Sequence, residues 1–213
     1  MHWIDPDSLP EIAGRFERFL LNPHGEADGL MLGDGIEVHF PPHMAKDVVP
    51  AIENAPGALL RIRGVRPREG DVFAAVAINF TDGSRVEDRG PPKKPEKDPH
   101  HPPPTRDKRE DLRTEGVVRR ALHGPKGEVR GALLDNGVIL RFPPHEAAAL
   151  SPWLIAGATV AAKGNGVKSK LGTVIEVREI GANGEKLHAV GEGKPTKKPK
   201  SNHGHRLPHQ TPA

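Results

Sequence analysis

The sequence predicts an all-β protein made of two similar five-stranded barrels, each with a short helix between its third and fourth strands. Residues 14–43 align without a gap on residues 116–145, and thirteen of the thirty aligned positions are identical. In both copies, short runs that alternate apolar and polar residues are separated by Gly, Pro, Asn and Asp, a pattern typical of strands joined by tight turns. The 213-residue chain therefore encodes one small β unit twice.

Turn-forming residues divide each copy into its strands. The second and third strands are separated by Gly33-Asp34-Gly35 and Asp135-Asn136-Gly137, where Asp-Gly and Asn-Gly supply the positive φ that a tight hairpin needs. A turn rich in Pro and Gly separates the first strand from the second. The predicted strands start near Arg15 and continue at 27–32, 36–40, 58–63 and 72–79; in the second copy they start near Val117 and continue at 129–134, 138–142, 158–163 and 173–180.

The third strand of each copy has two distinct faces. Ile36, Val38 and Phe40 point to one side, and Glu37 and His39 point to the other. The apolar side is predicted to face the barrel interior, and the other side to face outward. The second copy repeats this arrangement with Val138, Leu140 and Phe142 inward and Ile139 and Arg141 outward.

The tetrapeptide Phe-Pro-Pro-His ends the third strand in both copies, at 40–43 and 142–145. Proline donates no hydrogen bond to a sheet but favours the first turn of a helix, so a helix is predicted to follow. Pro50 and Pro152 are predicted to interrupt or kink this helix after about two turns. Three strands, a helix and two strands are the plan of the OB-fold, a five-stranded Greek-key barrel. An SH3-like barrel stays open as the alternative because the helix is so short.

The remaining residues are predicted to lie outside the barrels. The segment between the copies is rich in proline and mixed charge and has few apolar residues, so it is interpreted as an extended, disordered linker. The basic C-terminal residues are interpreted as a disordered tail for the same reason. The predicted units are an N-terminal arm (1–13), the first barrel (14–80), the linker (81–114), the second barrel (115–181) and the tail (182–213).

Composition and motifs exclude several classes of protein. The chain contains no cysteine, which excludes disulfides, thiolate nucleophiles and cysteine-based zinc sites. No apolar run approaches 18 residues and the N-terminus lacks the pattern of a signal peptide, so a soluble, cytoplasmic protein is expected. Sequence motifs of hydrolases, metalloproteases and phosphate-binding loops are missing. We therefore expect a non-enzymatic binding protein without a cofactor.

Charge distribution favours nucleic acid, single-stranded or structured, as the partner. Residues 116–180 contain nine basic and five acidic residues, and residues 181–213 contain six and two. OB barrels often bind single strands across strands two and three and the adjoining loops, and basic groups attract phosphates. The second barrel and the tail are therefore predicted to hold the ligand electrostatically. The predicted contact residues are Lys126, Arg130, Arg141, Lys163, Lys168 and Lys170.

Aromatic content weighs against base stacking on the predicted face. The chain has six phenylalanines, two tryptophans and no tyrosine. Phe40 and Phe142 are in phase with core positions, and Trp153 is the one residue placed to form an exposed platform. A protein-interaction adaptor, with its two barrels held apart by the linker, therefore stays as the alternative function.

Recurrent histidines and arginines raise two further questions. The chain has twelve histidines, and metal binding is the third candidate function; His43 and His145 recur after the prolines. One histidine per barrel is too few for a zinc site, so these two are expected to bond free backbone groups or pack on the helix. Arg18 and Arg120 recur in phase with apolar residues of the first strand. Either a β-bulge turns them outward, or they pair with a carboxylate such as Glu26 or Glu128.

The repeat also resembles a group of bacterial proteins with tandem small OB-like modules. The resemblance is carried by ERFLLNPHGEADG and FPPH, with their echoes GPKGEVRGALLDNG and RFPPH. It covers the two repeats, about two thirds of the chain, and leaves linker and tail unmatched. It implies a bacterial β-barrel protein and carries over no activity or site residue.

Overall fold

A computed structural model describes residues 5–67, 71–90, 109–143, 146, 150 and 153–191. These residues form two closed five-stranded barrels, each extended by a short sixth strand. The first barrel contains β1 (Glu11–Leu21), β2 (Ala27–Leu32), β3 (Glu37–His39), α1 (Ala45–Asn54), β4 (Leu59–Val65), β5 (Val72–Asn79) and β6 (Arg85–Glu87). The second contains β7 (Glu110–His123), β8 (Val129–Leu134), β9 (Ile139–Arg141), β10 (Thr159–Ser169), β11 (Gly172–Gly181) and β12 (His188–Ala189).

Each barrel closes through one parallel pair of strands. The first five strands pair in the order β3-β2-β1-β4-β5, and β3 then lies parallel to β5. The second barrel repeats this order. Its strands pair as β9-β8-β7-β10-β11, and β9 lies parallel to β11. The prediction of two five-stranded OB-like Greek-key barrels is confirmed.

The hairpins between the second and third strands have the predicted chemistry. Gly35 and Gly137 have φ of +90° and +84°. A side chain in this left-handed region costs roughly 1–2 kcal/mol, so glycine is favoured at both turns. Asp34 and Asn136 each accept a hydrogen bond at 3.1 Å from the backbone N–H two residues further on. These turns fix the register that sends alternate residues of β3 and β9 inward.

The helix of the first barrel is longer than predicted. A 3₁₀ turn at Pro42–Met44 leads into α1, which continues through Pro50 to Asn54. Proline removes only one helical hydrogen bond there, and Val48, Val49 and Ile52 are buried on either side of it. The helix is therefore not interrupted at Pro50, and a kink there, the other possibility predicted, stays a prediction. Pro152, its counterpart in the second repeat, lies outside the described residues, although Leu150 and Leu154 are buried in the second core.

The barrels extend into the segments predicted as arm, linker and tail. Glu11 already belongs to β1, where it pairs with Arg63 of β4, and β6 pairs with β5. β7 begins at Glu110, and β12 pairs with β11. Backbone pairing, ion pairs such as Arg63–Glu11 at 3.1 Å, and apolar contacts of Val86 and Leu112 with the two cores order these segments. The predicted boundaries therefore shift outward; residues 91–108 and 192–213 lie outside the described residues.

Candidate functional site

The two barrels pack against each other through an approximate two-fold relation. Glu17 and Arg119 occupy equivalent positions in the two repeats, and their charged groups approach to 3.6 Å, as expected near a two-fold axis. Arg18 donates to the carbonyl of Gly137 at 2.8 Å. In the equivalent contact, a Cβ added to Gly35 would lie 2.7 Å from Nη1 of Arg120. The two barrels are therefore in direct contact, unlike the separated barrels of the alternative adaptor function.

A β-bulge explains the recurrent arginines of the first strand. The pairing register shifts between Phe16 and Arg18 in β1, and again between Val118 and Arg120 in β7. The extra residue turns each guanidinium out of the barrel, so that it reaches the other barrel. Of the two explanations left open by the sequence, the bulge is the one observed.

Apolar contacts cover the outer faces of the second and third strands in both barrels. Met31 of β2 points outward yet is buried, as is its counterpart Leu133 of β8. The hydrophobic cluster of the first barrel continues into the second, while the second barrel keeps a separate core around Phe142. The face on which nucleic acid was predicted to lie is therefore closed by the partner barrel. The second-barrel members of the shared cluster are Leu122, Leu133, Ile139, Val167 and Val174.

Glu37 is a buried carboxylate held by the second barrel. Its oxygens accept hydrogen bonds from the backbone N–H of His123 at 2.8 Å and from Nδ1 of His123 at 2.9 Å. Arg120 and His39 lie further off, at 4.0 and 3.9 Å. Burial has the largest single effect and opposes ionisation, but the donors of His123 together with the nearby His39 outweigh it and lower the pKa of Glu37 to about 2. The hydrogen bond to Glu37 raises the pKa of His123, so the two groups form an ion pair across the interface.

Arg141 is buried in the interface instead of facing solvent. Its Nε donates to the carbonyl of Leu21 at 2.8 Å, and its terminal nitrogen lies 3.4 Å from Asp28. Burial lowers the pKa of Arg141 and raises that of Asp28. The prediction that Arg141 contacts nucleic acid is wrong, because the outer face of β9 lies against the end of β1.

The other predicted cations are on the surface, in two places. Lys126 is exposed in the turn before β8, and the half-exposed Arg130 of β8 lies 3.0 Å from Glu128. The lysines of β10 and its turn are exposed as well. Their carboxylate partners are Glu179 at 4.0 Å from Lys163, Glu110 at 3.8 Å from Lys168, and Glu53 at 2.9 Å from Lys170. The nucleic-acid role of these five residues stays a prediction.

The two sides of the interface differ because one hairpin is longer. Gly64 pairs with Ala75 in the first barrel, whereas Gly164 pairs with Val177 in the second, so the β10–β11 hairpin is two residues longer. Its buried Val167 lies so close to Gly25 that a Cβ added there would be 2.6 Å away. This side, which we call the closed side, is filled by the hairpin.

The opposite side contains a cleft of about 450 Å³ between the barrels. Its first-barrel walls come from the end of β3, the Pro-Pro segment and the β4–β5 hairpin, and its second-barrel wall from Pro125 and Arg130. We call this side the open side. The lining residues are Asp28, His39, Phe40, Pro41, Pro42, Val65, Ala74, Ala75, Val76, Asp88, Pro125 and Arg130.

Polar groups lie at the back and edge of this cleft. His39 is buried, and its Nε2 makes no hydrogen bond within the described ranges. His43 hydrogen-bonds Asp88 at 2.9 Å and so ties the Phe-Pro-Pro-His segment to the chain that follows β6. The recurrent histidine thus bonds a carboxylate, not the backbone groups expected from the sequence. Its counterpart His145 lies outside the described residues.

Neither a metal centre nor a membrane helix is seen in the described part of the chain. No group of three histidine or carboxylate side chains within it could hold a metal ion. No described helix is long and apolar enough to cross a bilayer.

Sequence reasoning missed the roles of Glu37 and His123. Both are polar in one repeat, and their counterparts Ile139 and Leu21 are apolar in the other. An outward-facing position that is charged in one copy and aliphatic in the other is a signal for a surface buried between unlike copies. Ile139 in particular was assigned to the outward face, although isoleucine is usually buried and is uncommon on a face exposed to solvent.

Comparison with known proteins adds little to this description. No family model and no curated protein sequence matches the chain. A solved structure of a deletion mutant of the single-stranded DNA binding protein from Thermus aquaticus is 15% identical, over 88% of this chain and 84% of that chain, with a TM-score of 0.24. At that score the match supports no conclusion about a ligand.

Proposed function

We propose that this chain is a non-enzymatic nucleic-acid-binding protein that holds its ligand through the exposed cations of the second barrel and the basic tail. The observation that carries the proposal is that five of the six predicted cations stay on the surface although the β8–β9 face is covered. Lys163 and Lys168 reach carboxylates only at 4.0 and 3.8 Å. Exposed pairs of this kind contribute about 0–1 kcal/mol, so a phosphate can replace the carboxylate at little cost.

Occlusion of the β2–β3 faces changes the expected mode of binding. Aromatic stacking on those faces cannot contribute, because each is covered by the other barrel. Phosphate contacts then supply most of the affinity, which should fall steeply as salt rises. The ligand is expected to be nucleic acid, single-stranded or structured, bound with little sequence preference.

Binding of labelled single-stranded DNA and RNA, followed by fluorescence anisotropy between about 50 and 200 mM salt, tests the proposal. The double variant Lys163→Gln/Lys168→Gln should bind more weakly, and its salt slope should fall by about 0.7 for each phosphate of the single strand that the variant no longer neutralises. The matched control is Lys46→Gln/Arg61→Gln, which removes the same charge from exposed positions of the first barrel. A chain ending at Gly191 keeps β12 and removes the tail, and it should also bind more weakly.

Two results would contradict the proposal. The intact chain could show no salt-sensitive binding even at the lower salt concentration. Alternatively, the first-barrel control could lose as much affinity as the β10 double variant, which would reduce the effect to net charge alone.

A further inference from the structure

The cleft on the open side has the size and apolar lining of a small-ligand site. Its volume of about 450 Å³ falls within the range of roughly 300–1,000 Å³ typical of such sites. Phe40, Pro41, Val65 and Val76 give it apolar walls, and these come from a strand, a proline turn and a hairpin that the barrel holds in place. A flat apolar body can therefore enter without rearrangement of the barrels.

Polar groups inside the cleft require a ligand that both donates and accepts hydrogen bonds. His39 lines the cleft and is 7% exposed; its Nε2 makes no hydrogen bond within the described residues and lies 3.9 Å from Glu37. Asp28 and Asp88 provide carboxylate acceptors, and Arg130 provides a guanidinium donor on the opposite wall. Burial raises the pKa of Asp28, a perturbation common at binding sites. Asp88 already bonds His43, Asp28 lies 3.4 Å from Arg141, and Arg130 lies 3.0 Å from Glu128. A purely apolar ligand would still keep water from their remaining donor and acceptor sites, at a cost for each.

A peptide strand and a metal ion both fit the cleft poorly. β3 is already paired with β2 and β5, and β5 is paired with β3, β4 and β6. The edge strand beside the cleft, β6, has only three residues, so it offers a peptide few ladder hydrogen bonds for strand addition. A metal ion is disfavoured because the described residues contain no group of three candidate ligands.

We propose that the cleft binds one unstacked nucleobase of a single strand. This inference rests on the proposed nucleic-acid binding and names the subsite of that function. A base is a flat ring whose edges carry both donors and acceptors, which matches apolar walls with His39 and carboxylates behind them. Arg130 forms one wall, and the exposed Lys126 lies in the turn just before its strand, so the adjoining phosphate has a cation within reach. The subsite adjoins the occluded β2–β3 face, from which Asp28 and His39 contribute to its lining.

Filling the cleft with a larger side chain tests this subsite. Ala74 lies on β5 and lines the cleft, so Ala74→Phe should occupy the space of the base. The matched control Ala13→Phe makes the same change at an exposed position of β1. Because base contacts contribute about 1–3 kcal/mol, Ala74→Phe should lower the affinity for a short adenine homopolymer by about tenfold or more, while Ala13→Phe leaves it unchanged.

A second measurement separates this inference from the proposed function. Adenosine monophosphate titrated into the full chain should shift the NMR resonances of Val65, Ala74 and Val76, and Ala74→Phe should abolish the shifts. If the homopolymer binds with salt sensitivity but Ala74→Phe binds as tightly as the unmodified chain, the subsite is wrong and the proposed function stands. If neither the homopolymer nor the mononucleotide binds, both are wrong.

Discussion

The closed and open sides of the barrel interface are built from equivalent segments of the two repeats, yet one side is filled and the other contains a cleft. On the closed side the β10–β11 hairpin places Val167 over Gly25, and Gly172 lies close to Leu21. On the open side the shorter β4–β5 hairpin leaves the cleft that Val65 and Pro125 line. Duplication supplies two equivalent contacts, and a difference of two residues in one hairpin converts one of them into an accessible site.

The buried residue pairs at equivalent positions of the interface also differ: one is polar and the other is apolar. Glu37 meets His123 in one half, while their counterparts Ile139 and Leu21 are both buried in the shared hydrophobic cluster. Two copies of the first barrel would bring Glu37 against Leu21 and leave a carboxylate buried without its partner. The polar pair thus favours association of unlike barrels over association of like ones.

Breaking the polar pair should give the largest effect. His123→Leu copies the residue of the equivalent position and removes the imidazole that pairs with the buried Glu37, which keeps only the backbone N–H of residue 123 and the more distant Arg120 and His39. Loss of one partner of a buried ion pair costs about 3–5 kcal/mol, so the free energy of unfolding should fall by that amount. The measurement is urea denaturation followed by circular dichroism.

The control for His123→Leu is a double variant that has the apolar pair in both halves of the interface. Glu37→Ile combined with His123→Leu gives both halves the apolar pair, and buried ion pairs can be replaced by apolar residues of similar volume at little cost. The double variant should therefore recover most of the stability that His123→Leu loses. A double variant as unstable as the single one would show that the histidine stabilises the interface in another way than by pairing with Glu37.

The fold was predictable from the sequence, but the relation between the barrels was not. The gapless repeat, the Asp-Gly and Asn-Gly turns and the alternation in β3 suffice to place five strands and the core in each copy. Alternation cannot distinguish an outward face that meets water from one that meets another barrel, so Arg141 was placed in solvent. The cleft was unpredictable because it depends on hairpin length relative to a surface some hundred residues away in sequence. Lys163, Lys168 and Lys170 were placed on the surface correctly because lysine is almost never fully buried unless it is paired.

Acid should weaken the interface by protonating Glu37. Its pKa is lowered from 4.5 to about 2, so its contribution to stability is present above pH 4.5 and is lost as the pH falls toward 2. At 1.36 kcal/mol per pKa unit, the loss is about 3 kcal/mol. The raised pKa of His123 gives stability the opposite pH dependence. Its contribution to the free energy of unfolding is present below its ordinary pKa and is lost as the pH rises past the raised value.

Urea denaturation at a series of pH values measures the loss of stability on both the acid and the alkaline side. The Glu37→Ile/His123→Leu variant serves as the reference, because it lacks both titrating groups and keeps the other carboxylates. The difference between the two proteins should be largest between pH 4.5 and 6.5, the ordinary pKa values of Glu37 and His123. Parallel curves for the two proteins would contradict the assigned ion pair.

Gly25→Ala adds a single methyl group to the closed side, and we expect it to give the smallest loss of stability. Gly25 has φ of +81°, and a Cβ there would lie 2.6 Å from Val167 of the other barrel. Gly57 has a similar φ of +77° but nothing within 4 Å, so Gly57→Ala reports the backbone cost alone, about 1–2 kcal/mol. Gly25→Ala should lose about 1 kcal/mol more than Gly57→Ala in urea denaturation, since the added methyl overpacks a buried contact. Equal losses at both positions would mean that the hairpin moves away freely, and the closed side would then be no more tightly packed than the open one.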